Sequence, residues 1–387
     1  MAKDSIKRAL LLGGGTQALV IARALRRNGR RVHIFDDDRW SYSYHTRYAE
    51  RKVIAPSPAD EEDYCRFLKE YVAQYAIDVV VPMNDATAQL LAHRKAELSA
   101  CVAFIMPDFE VFEAGYNKLQ LMQLCRECGF PHPRSLDLEV ASAEAEGFVY
   151  PALIKPNHMT GGRGMTLVGS YEEFCARYAA IRAEYGACHL QEFIPLGGRQ
   201  LKVQIFMHDG AVYASSVIHK QRFYPENGGS SCCNISIEDA ALVELCGQVL
   251  GRLGWEGFAD FDLVEDVRDG VVKIMEINPR VPACLKSVVE SGVDYANMIV
   301  NASLGEPLPK YEYHPGHSLR HIGFEVLWFL YSKNRFTSRP SWFRFFGRRL
   351  SFQDFSWGDP LPFIVGTIGN IRKQLSPEFR KSKAGLR

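Results

Sequence analysis

Residues able to do chemistry are most concentrated in the segment KIMEINPR, which ends an apolar strand with Glu276, Asn278 and Arg280. On an extended strand, residues two apart point to the same face, so Glu276 and Asn278 are predicted to lie side by side. Carboxylate and amide oxygens suit Mg²⁺ that carries phosphates. Arg280 can grip a phosphate or a carboxylate bidentately. The segment therefore predicts a metal and anion site; an edge strand with a solvated polar face is the alternative.

A second motif, PALIKPNHMTGGRGM, runs from an apolar strand through Lys155 into a glycine-rich loop. Its glycines Gly161, Gly162 and Gly164 let backbone N–H groups approach a phosphate, and Arg163 adds a positive charge. A Walker A loop would need GK[ST] after its glycines, and this one lacks it. We expect a phosphate-binding loop, with a plain glycine hairpin as the alternative.

The N-terminus reads as a buried strand, a turn at residues 13–15, a helix to Asn28 and a second strand ending near Asp36. This order predicts a Rossmann-like βαβ unit in an α/β protein. A dinucleotide site with Asp36 on a ribose hydroxyl is an alternative interpretation. Asn84 and Asp85 follow a later strand and are either substrate-site candidates or helix caps.

The strand EINPR, preceded by Asp262 in FADFDLV, resembles the metal-binding strand pair of the ATP-grasp ligase superfamily. The resemblance implies that Asp262, Glu276 and Asn278 bridge Mg²⁺, or Mn²⁺, to the triphosphate of ATP. Asp260, two residues earlier, is the alternative first ligand. Among relatives, the resemblance is to the synthetase halves of carbamoyl phosphate synthase and to D-aspartate and amino-acid ligases.

The same resemblance assigns ATP contacts elsewhere in the chain. Lys118, which opens the amphipathic helix of YNKLQLMQLCRECGFPHP, would contact a phosphate together with Lys155. The segment CHLQEFIPLGG would be the linker between two lobes of an ATP clamp. Its predicted adenine contacts are Gln191, Glu192, Phe193 and Ile194. The ribose position falls near Gln200, where the carboxylate often found there is absent.

The implied chemistry is phosphorylation of a substrate carboxylate by ATP, followed by attack of an amine on the acyl phosphate. Lys220 and Arg222 would bind an anionic substrate or the transferred phosphate, and Arg280 would neutralise the developing oxyanion. A solvated basic hairpin is the alternative for the first two. A biotin carboxylase would carry a glutamate where Lys202 falls, which argues against bicarbonate. A carbamoyl phosphate synthase-like enzyme and a catalytically silent ATP-binding regulatory protein remain alternatives.

The predicted organisation is α/β, with a Rossmann-like domain over residues 1–112 and a two-lobed ATP-grasp domain over residues 113–310. The lobes are residues 113–190 and 191–310. Residues 311–387 form a basic, aromatic C-terminal extension. No run reaches the roughly 20 apolar residues that a membrane span needs.

Composition bounds the setting of the protein. The 387 residues are 47% hydrophobic with a net charge of +1, and ten cysteines accompany an N-terminus without a secretory signal pattern. We therefore expect a cytoplasmic protein with reduced thiols, acting on small carboxylate and amine substrates without nucleic acid. A homodimer is the default expectation.

The C-terminal extension concentrates positive charge and rings. Residues 311–387 carry thirteen Lys or Arg against five Asp or Glu, with sixteen aromatic residues. Such a segment predicts contact with an anionic membrane surface, at the inner face of the membrane, or with an acidic partner. A helical extension that packs on the main body is the alternative.

Overall fold

The computed structural model describes residues 6–158, 164–226 and 229–375. Its strands are β1 (Arg8–Leu12), β2 (Arg31–Asp36), β3 (Arg51–Ile54), β4 (Val79–Pro82), β5 (Ser135–Asp137), β6 (Ala152–Pro156), β7 (Thr166–Val168), β8 (Cys188–Glu192), β9 (Gln200–His208), β10 (Ala211–Tyr224), β11 (Ser230–Ile237), β12 (Gly257–Glu265), β13 (Val272–Asn278), β14 (Ser318–Arg320) and β15 (Leu350–Phe352). Its α-helices are α1 (Thr16–Arg27), α2 (Glu61–Tyr75), α3 (Asp85–His93), α4 (Lys95–Leu98), α5 (Phe109–Tyr116), α6 (Lys118–Cys128), α7 (Tyr171–Tyr185), α8 (Ala240–Leu253), α9 (Lys286–Val289), α10 (Tyr295–Leu304), α11 (Ile322–Tyr331) and α12 (Leu361–Leu375). Short 3₁₀ turns lie at Ser43–His45, Ser142–Gly147 and Ala283–Leu285.

The N-terminal sheet is parallel, in the order β3-β2-β1-β4. A continuous apolar run predicts a strand covered on both faces, and residues 9–12 of β1 are fully buried. The glycine turn after β1 leads directly into α1, as the sequence predicts. At the end of β4, Asn84 caps α3 by accepting a hydrogen bond from the Thr87 N–H at 2.9 Å. Asn84 is therefore a helix cap.

Two further sheets follow. The first is antiparallel, in the order β5-β8-β6-β7, and α7 packs on it around the buried residues Phe174 and Ile181. The second has seven strands in the order β13-β12-β9-β10-β11-β14-β15. The strands β12 and β13 of the metal-site prediction lie at one edge of this larger sheet, beside β9.

The other edge of the seven-stranded sheet comes from the C-terminal extension. β14 pairs with β11 in antiparallel fashion, and β15 pairs in parallel with β14. The extension therefore completes a sheet of the main body and adds α11 and α12, a more integral role than that of a helical extension packed outside. Within the described residues, none of the helices combines the length and apolar character needed to cross a membrane.

A close contact joins α5 to the larger sheet and α8. A Cβ placed on Gly115 would lie 2.7 Å from Cζ3 of Trp255, which is fully buried and stacks on Phe112. Only glycine permits this approach without displacement of the indole. The contact fixes α5, and with it the start of α6, against the second lobe.

Candidate active site

The β12–β13 hairpin brings four polar residues to one place. In the ladder, Asp262 pairs with Glu276 and Asp260 pairs with Asn278. Alternate residues of a strand share a face, and partners across an antiparallel ladder lie on that same face. Two carboxylates on β12, with one carboxylate and one amide on β13, therefore become one cluster of oxygen donors.

Asp262 is held by cationic and amide donors. Its carboxylate accepts hydrogen bonds from Lys202 Nζ at 2.7 Å, from Asn278 Nδ2 at 3.0 Å and from Lys220 Nζ. Burial opposes the charged form, but the two ammonium groups outweigh it and hold the pKa of Asp262 well below its usual range. The Asp262 carboxylate is thus ionised and is stabilised by nearby cations.

Asp260 lies deeper in the same cluster. Its side chain is fully buried and accepts from Lys202 Nζ at 2.6 Å and from Gln204 Nε2 at 2.7 Å. Burial raises the pKa of Asp260, while Lys202 opposes that shift. Asp262, by contrast, keeps 19% of its side chain exposed. Of the two aspartates, Asp262 is the one that a ligand can reach.

Lys202 and Gln204 also belong to this cluster, a position that the sequence motifs do not predict. They lie on β9, where Lys202 pairs with Asp262 and Gln204 with Asp260. Burial opposes the charge of Lys202, but Asp260 and Asp262 outweigh it and raise the pKa of its ammonium group. The available signal was two polar residues at alternate positions of the otherwise apolar strand LKVQIFM.

The first lobe contributes two lysines that face the cluster. Lys118, the first residue of α6, lies 3.6 Å from Glu276 Oε2, and its side chain is 7% exposed against 29% for Glu276. Asn117 orients the helix start by accepting from the backbone N–H of Leu119 at 3.1 Å. A lysine–glutamate pair therefore joins the two lobes at this point.

Lys155 is the second lysine, on β6. Its ammonium group is buried and donates to Gln191 Oε1 at 2.9 Å. Burial lowers its pKa to about 8, and Glu276 opposes that shift. The nearby His189 is also buried, bonds to Asn157 Oδ1 at 2.8 Å, and has a pKa lowered by burial and then by Lys155. A buried lysine with a lowered pKa is poised to gain a strong anionic partner.

Part of the predicted glycine loop can be placed. Gly161, Gly162 and Arg163 lie outside the described residues. Gly164 has a φ of +72°, and a Cβ there would lie 2.8 Å from the Pro156 ring. A side chain at Gly164 would therefore be strained and crowded, so the chain needs glycine at this position.

The predicted adenine linker follows β8. Gln191 is fully buried and also donates to Ser135 Oγ at 3.3 Å. The carboxylate of Glu192 accepts from the Arg134 N–H at 3.1 Å and pairs with Arg268. These two side chains therefore hold the linker to the body.

Beyond them, the backbone N–H of Phe193 donates to Pro151 O at 3.4 Å, and Ile194 is buried. Gln200, the predicted ribose position, begins β9 and pairs with Val264 of β12 and with Lys220 of β10. The linker thus runs directly into the strand that carries Lys202.

Arg280 ties the cluster to the N-terminal domain. Its guanidinium donates to Asn278 Oδ1 at 3.1 Å and lies 3.4 Å from the carboxylate of Asp85. A longer contact of 3.9 Å joins it to Asp260. Nearby carboxylates outweigh burial and raise the pKa of Arg280. The guanidinium thus lies where the first sheet, β12 and β13 meet.

Lys220 and Arg222, predicted together, take different positions. Lys220 joins the cluster through Asp262, as described above. Arg222 is 4% exposed and pairs with the buried Glu325 of α11 at 2.8 Å. The β10–β11 register shifts between these two residues, so the usual alternation of side chains is broken there. Arg222 therefore binds the C-terminal extension, and the structure does not bring it to the acidic cluster.

The position of Asp36 does not fit the alternative in which its carboxylate binds the ribose of a dinucleotide. This side chain is 3% exposed and accepts from Ser43 Oγ at 2.7 Å and from Ser41 Oγ. A Cβ on Gly14 would lie 2.1 Å from its carboxylate oxygen. Asp36 thus holds the glycine turn in place, and its carboxylate oxygens do not face a ribose site.

A cavity of about 400 Å³ is lined by residues of α6 and β5 and by Glu192 of the predicted adenine linker. It includes none of the residues of the acidic cluster. Among the described residues, no group of three His, Cys, Asp or Glu side chains is arranged to hold a metal by itself. The acidic cluster offers two accessible carboxylates and one amide, a set that phosphate oxygens would have to complete.

Comparison with known proteins gives a family match. A family model described as an ATP-grasp domain matches residues 116–284. The chain is 25% identical over 326 residues to formate-dependent phosphoribosylglycinamide formyltransferase of Ignicoccus hospitalis, covering 79% of this chain and 78% of that protein. It is 24% identical over 317 residues to D-aspartate ligase of Enterococcus faecium, covering 75% of each.

A third relative is much longer than this chain. The carbamoyl phosphate synthase large chain of Methanosphaerula palustris is 23% identical over 327 residues, which cover 79% of this chain but only 30% of that protein. Among solved structures, the biotin carboxylase domain of Hydrogenobacter thermophilus 2-oxoglutarate carboxylase, in complex with MgADP, ADP and bicarbonate, superposes with a TM-score of 0.67. The match has 17% identity and covers 81% of this chain and 73% of that one, so it supports the fold alone.

Proposed function

We propose that the chain is an ATP- and Mg²⁺-dependent ligase that joins a carboxylate to an amine, because a family model described as an ATP-grasp domain matches residues 116–284. The observation that carries the proposal is the meeting of two lysines from one lobe with an acidic hairpin from the other. Lys118 lies 3.6 Å from Glu276, and Lys155 lies close enough for Glu276 and Asp262 to affect its pKa. Cations on one side and oxygen donors on the other suit a triphosphate between them.

The residues present fit a magnesium ion. Asp262, Glu276 and Asn278 supply hard oxygen donors from one face of a rigid hairpin, and Asp262 already attracts two ammonium groups. We assign the metal to these three residues, with Mn²⁺ as a substitute. We keep Asp260 as a buried partner of Lys202, because its side chain has no exposed surface. When bound, the metal would neutralise phosphate charge during transfer.

The ATP clamp follows from the lysines and the linker. Lys118 and Lys155 would bind phosphate oxygens, and the glycine loop of residues 161–164 is kept as a predicted phosphate contact. The backbone of Phe193 and Ile194 would meet the adenine edge. Gln191 would keep Lys155 oriented through their 2.9 Å hydrogen bond, and Glu192 would fix the linker to Arg134. Positioning and charge neutralisation supply most of the acceleration in phosphoryl transfer.

The reaction would proceed in two steps. A substrate carboxylate oxygen attacks the γ-phosphorus of ATP, and the bond to the β-phosphate oxygen breaks to release ADP. The amine nitrogen then attacks the acyl carbon, the carbon–oxygen bond to phosphate breaks, and the amine loses a proton. Lys220 would neutralise the transferred phosphate, and Arg280 the oxyanion that forms during amine attack. We give Arg222 a supporting role, because its guanidinium is bound to Glu325.

We also propose the predicted division of the chain, with residues 1–112 shaping the acceptor pocket and residues 113–310 forming the two lobes around ATP. Residues 311–387 complete the larger sheet. The substrates would be small carboxylates and amines. We expect the reaction to take place in the cytoplasm, where ATP is available, and expect a homodimer as the default assembly.

The test is phosphate release from ATP and Mg²⁺ across a matrix of amino acids and small carboxylates, bicarbonate included. Release that needs one acid and one amine is the expected result. Glu276→Gln should abolish it, whereas Glu244→Gln, an exposed carboxylate on α8, should leave it unchanged. Full activity of Glu276→Gln would overturn the metal assignment. ATP binding without release for any pair would favour a silent, regulatory clamp.

A further inference from the structure

The segment 326–353 has an unusual composition. Its 28 residues include six Lys or Arg and nine aromatic residues, and no Asp or Glu. Part of it is solvent-exposed, and we call this part the basic aromatic surface. It comprises Leu330, Tyr331, Lys333, Phe336, Arg339, Phe343, Arg344, Phe346, Arg348 and Arg349.

The rings of this surface protrude from the body. Tyr331 is 72% exposed, Phe336 75%, Phe343 58% and Phe346 90%. Phe336 and Phe343 stack with centroids 6.3 Å apart, and both contact Phe329, so they form one apolar ridge. Large exposed rings, two of them stacked in one ridge, indicate a binding surface.

The positive charges of the surface have no acidic partners among the described residues. Within the described part of the chain, no Asp or Glu carboxylate lies within ion-pair distance of Lys333, Arg339, Arg344, Arg348 or Arg349. The nearest acidic residues in sequence, Glu325 and Asp354, are both buried. The surface therefore presents an uncompensated positive field beside its rings.

A buried ion network holds this surface in shape. Glu325 is 1% exposed and binds Arg222 at 2.8 Å and Arg320 at 2.9 Å. Arg320 also donates to Trp342 O at 2.8 Å and to Arg344 O at 2.5 Å. Trp342 Nε1 in turn donates to Glu325 O at 2.9 Å. The backbone of the loop is thus fixed from inside, so the outward rings are preorganised.

From these observations we propose that the basic aromatic surface binds the anionic surface of a lipid bilayer. Rings that insert at the headgroup level and arginines that pair with lipid phosphates are the two contributions to interfacial binding. In the run Phe343 to Arg348, rings and cations alternate closely along the chain. That alternation suits a fluid layer of phosphates above apolar chains. An acidic protein would need a groove shaped to the Phe336–Phe343 ridge and further pockets for Tyr331 and Phe346.

The test is vesicle flotation of the full-length protein. We expect it to float with vesicles of equal parts phosphatidylcholine and phosphatidylglycerol and not with phosphatidylcholine alone. Binding should fall steeply as salt is added, because exposed charges are screened. Binding to anionic vesicles does not depend on the proposed ligase reaction. A protein that failed to float would therefore leave the ligase proposal intact.

Two double variants test the two contributions. Arg344→Glu with Arg348→Glu should weaken partitioning by about thirtyfold or more, at the usual contribution of a basic residue near an anionic surface. Phe336→Ser with Phe346→Ser should weaken it by roughly tenfold or more. The matched controls are Arg252→Glu on α8 and Val140→Ser, which is 85% exposed in the other lobe.

The controls should bind like the original chain, and thermal melting checks that every variant is folded. Absence of flotation with anionic vesicles at low salt would overturn the proposal and favour an acidic protein partner. If both double variants floated as well as the original chain, the proposal would also be overturned, because the contact would then lie elsewhere on the molecule.

Discussion

At the scale of single residues, Lys202 lies between two carboxylates that would otherwise repel each other. Its Nζ is 2.6 Å from Asp260 and 2.7 Å from Asp262. Asp260 has no exposed surface, so the ammonium group supplies a charge partner that water cannot replace. Lys202 thus helps to fix the position of Asp262, the aspartate that we assign to the metal.

We predict that Lys202→Met lowers the free energy of unfolding by about 3–5 kcal/mol, the range for removing one partner of a buried pair. Chemical denaturation measures the loss. Adding Asp260→Asn should restore part of it, because no buried charge is then left unpaired. Lys310→Met, at an exposed lysine, is the control. A Lys202→Met protein as stable as the original would contradict this account of the cluster.

We predict that Lys155 makes nucleotide binding depend on pH. Its pKa is about 8 in the folded chain, whereas an unfolded lysine keeps its proton up to about pH 10. Between these values the unfolded state binds more protons, so the free energy of unfolding should rise with pH. Affinity for ADP should fall over the same window, because the ammonium group that we assign to the phosphates is lost.

The free energy of unfolding should therefore rise with pH while the affinity for ADP falls. Titration calorimetry with MgADP should show weakening by up to about tenfold per pH unit above pH 8. In Lys155→Arg the affinity should stay level across the window, since a guanidinium remains charged. Lys310→Arg should behave like the original chain. A wild-type affinity that is constant between about pH 7 and pH 10 would exclude Lys155 as the titrating phosphate ligand.

At the scale of elements, α5 and α8 each contain a glycine, and substituting alanine at the two positions should change stability in opposite directions. We predict that Gly115→Ala destabilises the fold by about 1–3 kcal/mol, because the new methyl group would overlap Trp255. Gly251→Ala should stabilise it by roughly 0.5–1 kcal/mol, because that helical position has nothing within 4 Å of a new Cβ. Thermal melts of the two variants should shift in opposite directions. A shift in the same direction would show that the contact with Trp255 does not constrain α5.

Elements with strong local signals could be predicted from the sequence. The parallel strand β1, the strand β13 and the helix α6, which ends before Gly129 at a φ of +72°, follow from apolar periodicity and glycine punctuation. The resemblance to the ATP-grasp superfamily, carried by EINPR, is confirmed by the family match over residues 116–284.

Pairings between distant elements could not be predicted in the same way. The roles of Lys202 and Gln204 depend on the register of β9 against β12, about which a single strand carries no information. β14 and β15 are three residues each and gain their identity only by pairing with β11 and with each other. The register shift between Lys220 and Arg222 also could not be predicted from the local sequence.

At the scale of the whole molecule, the C-terminal extension is tied both to the larger sheet and to the N-terminal domain. Glu325 neutralises Arg222 of β10, and Asp359 accepts a hydrogen bond from Thr46 Oγ1 at 2.5 Å. α12 packs so closely on the N-terminal domain that a Cβ on Gly366 would lie 2.4 Å from the Tyr42 ring. The extension therefore braces the N-terminal domain against the larger sheet.

We predict that truncation after residue 310 prevents folding, because it removes several stabilising features at once. The larger sheet would lose β14 and β15, leaving β11 as an exposed edge with unpaired backbone groups. Arg222 would remain buried in part without Glu325, which alone costs about 3–5 kcal/mol. That loss is a large fraction of the net stability of a typical domain. Truncation after residue 375 keeps every described element and is the control. Solubility and cooperative melting distinguish the two truncated chains. If the protein of residues 1–310 melted cooperatively and bound MgADP, the extension would be an appended module and not a part of the fold.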